Sequence, residues 1–217
     1  MRPIVVINPN STRAVTQDID RALEPLRLRG APAIECLTLA DGPPAIESQA
    51  DADAVIAPIC STIRERRDHA SAFVIACFSD PGIVAARAIT RRPVFGIAES
   101  GILTALARGK RFGIIAILAD SVSRHERYIR SLRVEERFAG DLPIDMGVLE
   151  LRDEKRTYER VTEVGTRLRD ERGADVLILG CAGMARYRAS LQEQLGMPVI
   201  DPTQAAVSMA IGVVLTG

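Results

Sequence analysis

The sequence has few lysines and histidines, the residues on which much cofactor and metal chemistry depends. Its 28 basic residues include only Lys110 and Lys155 as lysines, and its only histidines are His69 and His125. Neither lysine lies in a glycine-rich phosphate loop, which argues against a lysine-bound pyridoxal phosphate. No two of the four cysteines have the C-x-x-C spacing of metal sites. We therefore expect no metal centre.

The chain also lacks an excess of charge and a long apolar run. Basic and acidic residues both number 28 among 217, so nothing points to nucleic acid or an anionic membrane as a partner. No apolar stretch approaches the roughly 20 residues of a membrane-spanning helix. Met1 and Arg2 lead directly into an apolar strand rather than a signal peptide. We expect a cytoplasmic protein with reduced thiols.

Two apolar stretches end on a cysteine that is followed by small residues. Val74–Ala76 leads into Cys77, and Leu177–Gly180 leads into Cys181. Continuous apolar runs are typical of parallel strands that are buried on both faces, and ligands bind beyond the carboxyl ends of such strands. We therefore expect both thiols at the mouth of a cleft. Cys36 and Cys60 lie within apolar segments, and we expect them to be structural.

The surroundings of the two cysteines repeat along the chain. A proline followed by a short apolar strand comes 16 residues after Cys77 and 17 residues after Cys181. The opening strand Arg2–Ile7 is similar to Arg111–Ala116. Any α/β chain repeats apolar strands, but four features in the same order favour a true repeat: an opening strand, a weaker second strand, a strand that ends on a cysteine and a strand that follows a proline. Its length of about 105 residues is that of a domain rather than of a solenoid unit.

The repeat predicts an α/β fold of two pseudo-symmetric lobes, each a mostly parallel four-stranded sheet flanked by helices. Lobe one is expected to comprise residues 1–98 and 205–217, because the apolar run Thr203–Leu215 should pack back on it. Lobe two then comprises residues 99–204. The expected second strands are Ile34–Leu39 and Asp145–Leu151, and the polar residues 133–143 are expected to form a loop.

Two strand-end thiols suit proton transfer at a carbon atom. A thiol at a helix N-terminus is expected to have a lowered pKa. One thiolate would then remove a proton from one face of a carbon while the opposite thiol delivers a proton to the other face. Backbone N–H groups at three expected helix starts would stabilise the enolate-like oxyanion. These starts are Asn10–Thr12, Phe78–Ser79 and Ala182–Gly183.

The arginines beside His125 allow two interpretations. Arg124, Arg127 and Arg130 lie on a predicted helix and could meet an anionic substrate. A solvated arginine face is the favoured interpretation.

Four motifs resemble those of the Asp/Glu/hydantoin racemase superfamily, and most closely its hydantoin and allantoin racemase branch. They span nearly the whole chain. The motifs are Asn8–Thr12, Ala76–Gly82, Leu179–Met184 and Pro198–Pro202.

The resemblance implies cofactor-independent racemisation of a 5-substituted hydantoin or allantoin, with Cys77 and Cys181 as the acid–base residues. It also implies homo-oligomers and a C-terminal helix that returns to lobe one. The expected substrate-binding residues are Asn10, Ser11, Thr12, Phe78, Ser79, Ile117, Ala182 and Gly183. The chain has Ala116-Ile117-Leu118 where members of this branch often have threonines, so the cleft is expected to accept a more apolar substituent or a different carbon acid.

Other functions remain open at this point. The same superfamily includes decarboxylases, which need one thiol rather than two, and maleate-type isomerases, which would use one cysteine as a nucleophile. A two-lobed small-molecule binding module without catalysis would tolerate the loss of either thiol, with binding retained and no turnover. A thiol-redox protein would need the two cysteines within roughly 6 Å between Cα atoms.

Overall fold

A computed structural model describes all 217 residues and contains two parallel four-stranded sheets. The strands of the first sheet are β1 (Ile4–Asn8), β2 (Ile34–Thr38), β3 (Ala72–Ile75) and β4 (Val94–Gly96). Those of the second are β5 (Phe112–Ala116), β6 (Phe138–Pro143), β7 (Val176–Leu179) and β8 (Val199–Ile200). Their spatial orders, β2-β1-β3-β4 and β6-β5-β7-β8, are equivalent. The predicted α/β fold of two similar lobes is confirmed.

The central strands of each sheet are fully buried, as their apolar runs predicted. All residues of β1, β3, β5 and β7 are buried, because helices cover both faces of a parallel sheet. In each sheet the chain reverses its direction of winding between the two central strands. The crevice at such a switch point lies beyond the strands' carboxyl ends. That position is where Cys77 and Cys181 leave β3 and β7.

Eight α-helices lie between the strands, and a ninth follows the last strand. They are α1 (Arg13–Ala22), α2 (Gln49–Ala54), α3 (Ile56–Arg66), α4 (Ile83–Ile89), α5 (Ile97–Arg108), α6 (Ala119–Leu132), α7 (Glu154–Asp170), α8 (Arg188–Leu195) and α9 (Pro202–Thr216). The break between α2 and α3 falls at Val55, whereas Pro58 lies in the first turn of α3, where proline costs no hydrogen bond. None of these helices has the length and apolar character needed to cross a bilayer.

The expected second strand of lobe two is wrong. The strand is β6, within the segment that its polar composition had marked as a loop, while residues 145–151 form turns and part of a 3₁₀ helix. β6 pairs in parallel with β5, and the rings of Phe138 and Phe112 pack 5.4 Å apart. Pairing with a buried neighbour outweighed the low strand propensity of Gly140 and Asp141.

The last helix joins the two lobes. α9 packs against β1, β3 and β4 of the first sheet and against α5. Its start is capped by Asp201, whose Oδ1 accepts hydrogen bonds from the N–H groups of Thr203 and Gln204. The larger of two apolar cores contains residues of both sheets together with α9, whereas the smaller covers the other face of the first sheet.

Candidate active site

Both strand-end cysteines line one cavity between the two sheets. Eight of the ten residues expected at the site lie in its wall, namely Asn10, Cys77, Phe78, Ser79, Ile117, Cys181, Ala182 and Gly183. The wall also includes Ile46, Val148, Ser121, Arg124 and His125. A larger surface groove between α1 and the 3₁₀ helix Ala182–Tyr187 contains neither thiol. The chemistry-bearing residues therefore converge on the inner cavity.

Close packing between β7 and β5, just before Cys181, fixes the position of this thiol in lobe two. Gly180 donates its N–H to the carbonyl oxygen of Ile115 at 2.9 Å, and a Cβ at Gly180 would lie 2.6 Å from that same oxygen. Only glycine permits this approach between β7 and β5. The strand end, and Cys181 with it, is held against the centre of the second sheet.

The backbone N–H two residues after each cysteine interacts with its thiol. The Gly183 N–H donates to Cys181 Sγ at 3.4 Å, and the hydrogen bond from the Ser79 N–H lowers the pKa of Cys77. The N–H groups of Phe78 and Ala182, one residue earlier in each lobe, have no acceptor within the protein. They are therefore available to a substrate oxygen.

The expectation of low thiol pKa values is wrong. Burial raises the pKa of Cys77 to about 12 and that of Cys181 to about 11, and it outweighs the amide hydrogen bonds. The charge of Cys181 further raises the pKa of Cys77, whereas Arg124 lowers it. Glu47 and Asp201 add to the rise at Cys181. Both thiols are protonated at neutral pH, and ionisation of one disfavours ionisation of the other.

Ser11 and Thr12, expected at the cavity from the sequence, lie outside its wall. The N–H of Ser11 donates to the carbonyl of Pro43 at 2.9 Å, and that of Thr12 donates to Asn10 Oδ1 at 3.0 Å. These two N–H groups are used within the turn before α1, so of the three expected residues Asn10, Ser11 and Thr12 only Asn10 lines the cavity.

Helix α6 contributes three lining residues, Ser121, Arg124 and His125, whose part in the cavity the sequence did not indicate. Helical spacing made the α6 arginines resemble a solvated face, but only Arg127 and Arg130 are exposed. A signal was nonetheless present, because α6 follows β5 directly. The first turns of such a helix lie at the same sheet edge as the thiols.

His125 belongs to a buried pair. Its Nδ1 lies 2.6 Å from Asp141 Oδ2, and its ring packs edge-on against Phe78 with centroids 5.0 Å apart. Burial raises the pKa of Asp141, and the hydrogen bond with His125 opposes that rise. The pair therefore holds the position of Phe78, whose backbone N–H is one of the free donors.

The other two cysteines, Cys36 and Cys60, lie outside the cavity wall. Cys60 is buried, and burial raises the pKa of Cys36 to about 12. No group of three or more His, Cys, Asp or Glu side chains lies close enough together to hold a metal ion.

The chain is similar to named racemases over nearly its whole length. A family model described as Asp/Glu/Hydantoin racemase matches residues 4–210. The chain is 37% identical to the hydantoin racemase of Pseudomonas sp. (strain NS671), over 99% of this chain and 86% of that protein. It is 35% identical to the hydantoin racemase of Rhizobium meliloti, over 95% of this chain and 86% of that protein.

A solved structure shares the fold closely. Allantoin racemase from Klebsiella pneumoniae is 32% identical and superposes with a TM-score of 0.95, covering 100% of this chain and 89% of that one.

Proposed function

Because the chain belongs to the Asp/Glu/hydantoin racemase family, we propose that it racemises a 5-substituted hydantoin or allantoin by proton transfer between two cysteines. The prediction of an isomerase is confirmed by relatives that are named racemases and align over nearly the whole chain. The substrate and the roles of Cys77 and Cys181 are the proposal. The observation that carries it is the position of both thiols in the wall of a single cavity.

The proposed reaction exchanges one proton for another at a single carbon. One cysteine first loses its proton to solvent and becomes a thiolate. It then takes the proton from the stereocentre, and the electron pair of the C–H bond moves onto the adjacent carbonyl as an enolate. The other thiol returns a proton to the opposite face. The product has inverted configuration, and the two cysteines have exchanged protonation states.

The free backbone donors suit the charged intermediate. The N–H groups of Phe78 and Ala182 lie next to the two cysteines and have no other acceptor. Each such donor is worth about 3 kcal/mol when it is aimed at a developing oxyanion. Two of them would offset much of the cost of an enolate in a cavity whose burial disfavours negative charge.

The activity is tested by incubating each enantiomer of a 5-substituted hydantoin and of allantoin with the protein in heavy water. We expect optical rotation to decay to zero while deuterium enters the stereocentre. Retention of optical rotation and absence of deuterium for every substrate would contradict the proposal. A covalent adduct on Cys77, detected by mass spectrometry of the intact protein, would instead support nucleophilic isomerisation.

We also propose where the enzyme is located, how it assembles and how its chain divides into lobes. Thiols that must stay reduced suit a cytoplasmic location, and we retain the homo-oligomer that the family resemblance implies. We also propose the division into residues 1–98 with 205–217 and residues 99–204. Its boundaries fall just inside α5 and α9, the two helices that pack on each other between the lobes.

A further inference from the structure

The three arginines of α6 occupy different environments. Arg124 lines both the inner cavity with the thiols and an outer cleft that also contains Phe78, Ser79 and His125. Arg130 lines neither, and its exposed side chain pairs only with Glu126. The helix therefore places one guanidinium group at the boundary between the outer cleft and the cavity.

Hydrogen bonds fix that guanidinium but leave one of its three nitrogens without an acceptor. Nη1 of Arg124 donates to the carbonyl of Asp120 at 3.1 Å. Nη2 donates to the carbonyl of Glu47 at 3.0 Å and to Ser121 Oγ at 3.1 Å. Nε is buried and has no acceptor. A buried donor on a charged group is costly to leave unpaired, so this atom is suited to a ligand acceptor.

The Nε–H of Arg124 comes from a different element than the two backbone N–H groups assigned to the reacting carbonyl. The N–H groups of Phe78 and Ala182 follow the cysteines in sequence, whereas Arg124 approaches from α6. An acceptor for Nε therefore belongs to another part of the substrate. The charge of Arg124 already acts on the carboxylate of Asp51 and on Cys77. Glu47 and Asp201 place further negative charge on the Cys181 side of the same cavity. An uncharged carbonyl therefore fits better beside Arg124 than a further carboxylate.

We propose that Arg124 is a specificity-determining substrate-binding residue, whose Nε–H binds a carbonyl oxygen in the C5 substituent. The inference rests on the proposed function and narrows its substrate class to hydantoins with a ureido or amide side chain. Ile117 considered alone favours a more apolar C5 substituent. Ile117 and Arg124 therefore predict opposite polarities for this substituent.

The test compares a ureido with an alkyl substituent of similar size. Racemisation of allantoin and of 5-isobutylhydantoin is measured for the wild type, Arg124→Gln, Arg124→Lys and the control Arg130→Gln. We expect the wild type to prefer allantoin. Arg124→Gln should lower kcat/KM for allantoin by about 10- to 100-fold and that for the alkyl substrate by less than about threefold. Arg124→Lys should lose most of the same preference because it lacks Nε–H, and Arg130→Gln should behave as the wild type.

Several outcomes would overturn the assignment. They are a wild-type preference for the alkyl substrate, an equal loss on both substrates in Arg124→Gln, or a wild-type preference retained by Arg124→Lys, which would show that charge alone matters. Thermal unfolding of each variant checks that the fold is intact. If the wild type racemises only the alkyl hydantoin, the inference fails while the proposed function stands. If it racemises neither substrate, both fail.

Discussion

At the scale of single residues, the two thiols combine weak acidity with a position next to free N–H donors. Burial raises the pKa of both Cys77 and Cys181, so a thiolate formed there is a stronger base than one in water. A strong base suits a weakly acidic carbon, whereas the small thiolate population at neutral pH limits the rate. The rate of proton transfer therefore depends on how readily one of the two thiols ionises when the substrate binds.

The raised pKa values predict how the thiols react with a neutral alkylating reagent. Because ionisation lies far above neutral pH, the thiolate fraction should rise about tenfold per pH unit. We expect the rates of iodoacetamide labelling at Cys77 and Cys181, followed by peptide mass spectrometry, to climb without a plateau from pH 7 to pH 9. Free cysteine, with a pKa of about 8.5, is the control, because its labelling rate should begin to level off within this pH range. A plateau near pH 7 at Cys77 or Cys181 would contradict the account.

The residue types in the sequence predicted that the two thiols and the small residues beside them belong to the site. They did not predict that Arg124 belongs to it. Strand-end cysteines stand out because an apolar run leads directly to each of them. The position of Arg124 depends on the rotation of α6 against the sheet and on a carbonyl of Glu47 from the other lobe. Neither the rotation nor a contact across 77 positions of sequence is encoded in local periodicity.

At the scale of elements, the buried central strands and the edge strand β2 were predictable from the sequence, but the edge strand β6 was not. β1, β3, β5 and β7 are continuous apolar runs, whereas β6 contains glycine, aspartate and proline. An edge strand pairs on one side only, so its sequence is less constrained. The residues 145–151 that had resembled a strand instead supply Val148 to the cavity wall.

The tight approach of β7 to β5 gives a prediction for Gly180. We expect Gly180→Ala to lower the free energy of unfolding by about 1–3 kcal/mol, because the added Cβ meets the Ile115 oxygen. It should also lower activity by displacing Cys181. Urea denaturation and the racemisation assay measure the two effects.

Gly212 provides the matched control in an open environment. It lies in α9 with no atom within 4 Å of an added Cβ, so Gly212→Ala should raise stability by about 0.5–1 kcal/mol. If Gly180→Ala were as stable as the wild type, the close approach between the strands would not be what positions Cys181.

At the scale of the whole molecule, the repeat places one thiol from each lobe at a common cavity. The lobes are further joined there by Glu47, whose Oε1 accepts a hydrogen bond from the Val148 N–H at 2.7 Å, and whose carbonyl accepts one from Arg124. The repeated order of strands was visible in the sequence. These contacts between loops were not, because each depends on how the two sheets face one another.

The two-thiol claim is tested most directly by proton exchange in variants that keep only one of the two. Cys77→Ser and Cys181→Ser are each incubated with the separate enantiomers in heavy water, and deuterium at the stereocentre is followed by NMR, with Cys60→Ser as the control. We expect both variants to lose racemisation, and each to exchange only one enantiomer, the opposite one in the two variants. Racemisation by either variant at the wild-type rate, or exchange of both enantiomers by each variant, would contradict the account.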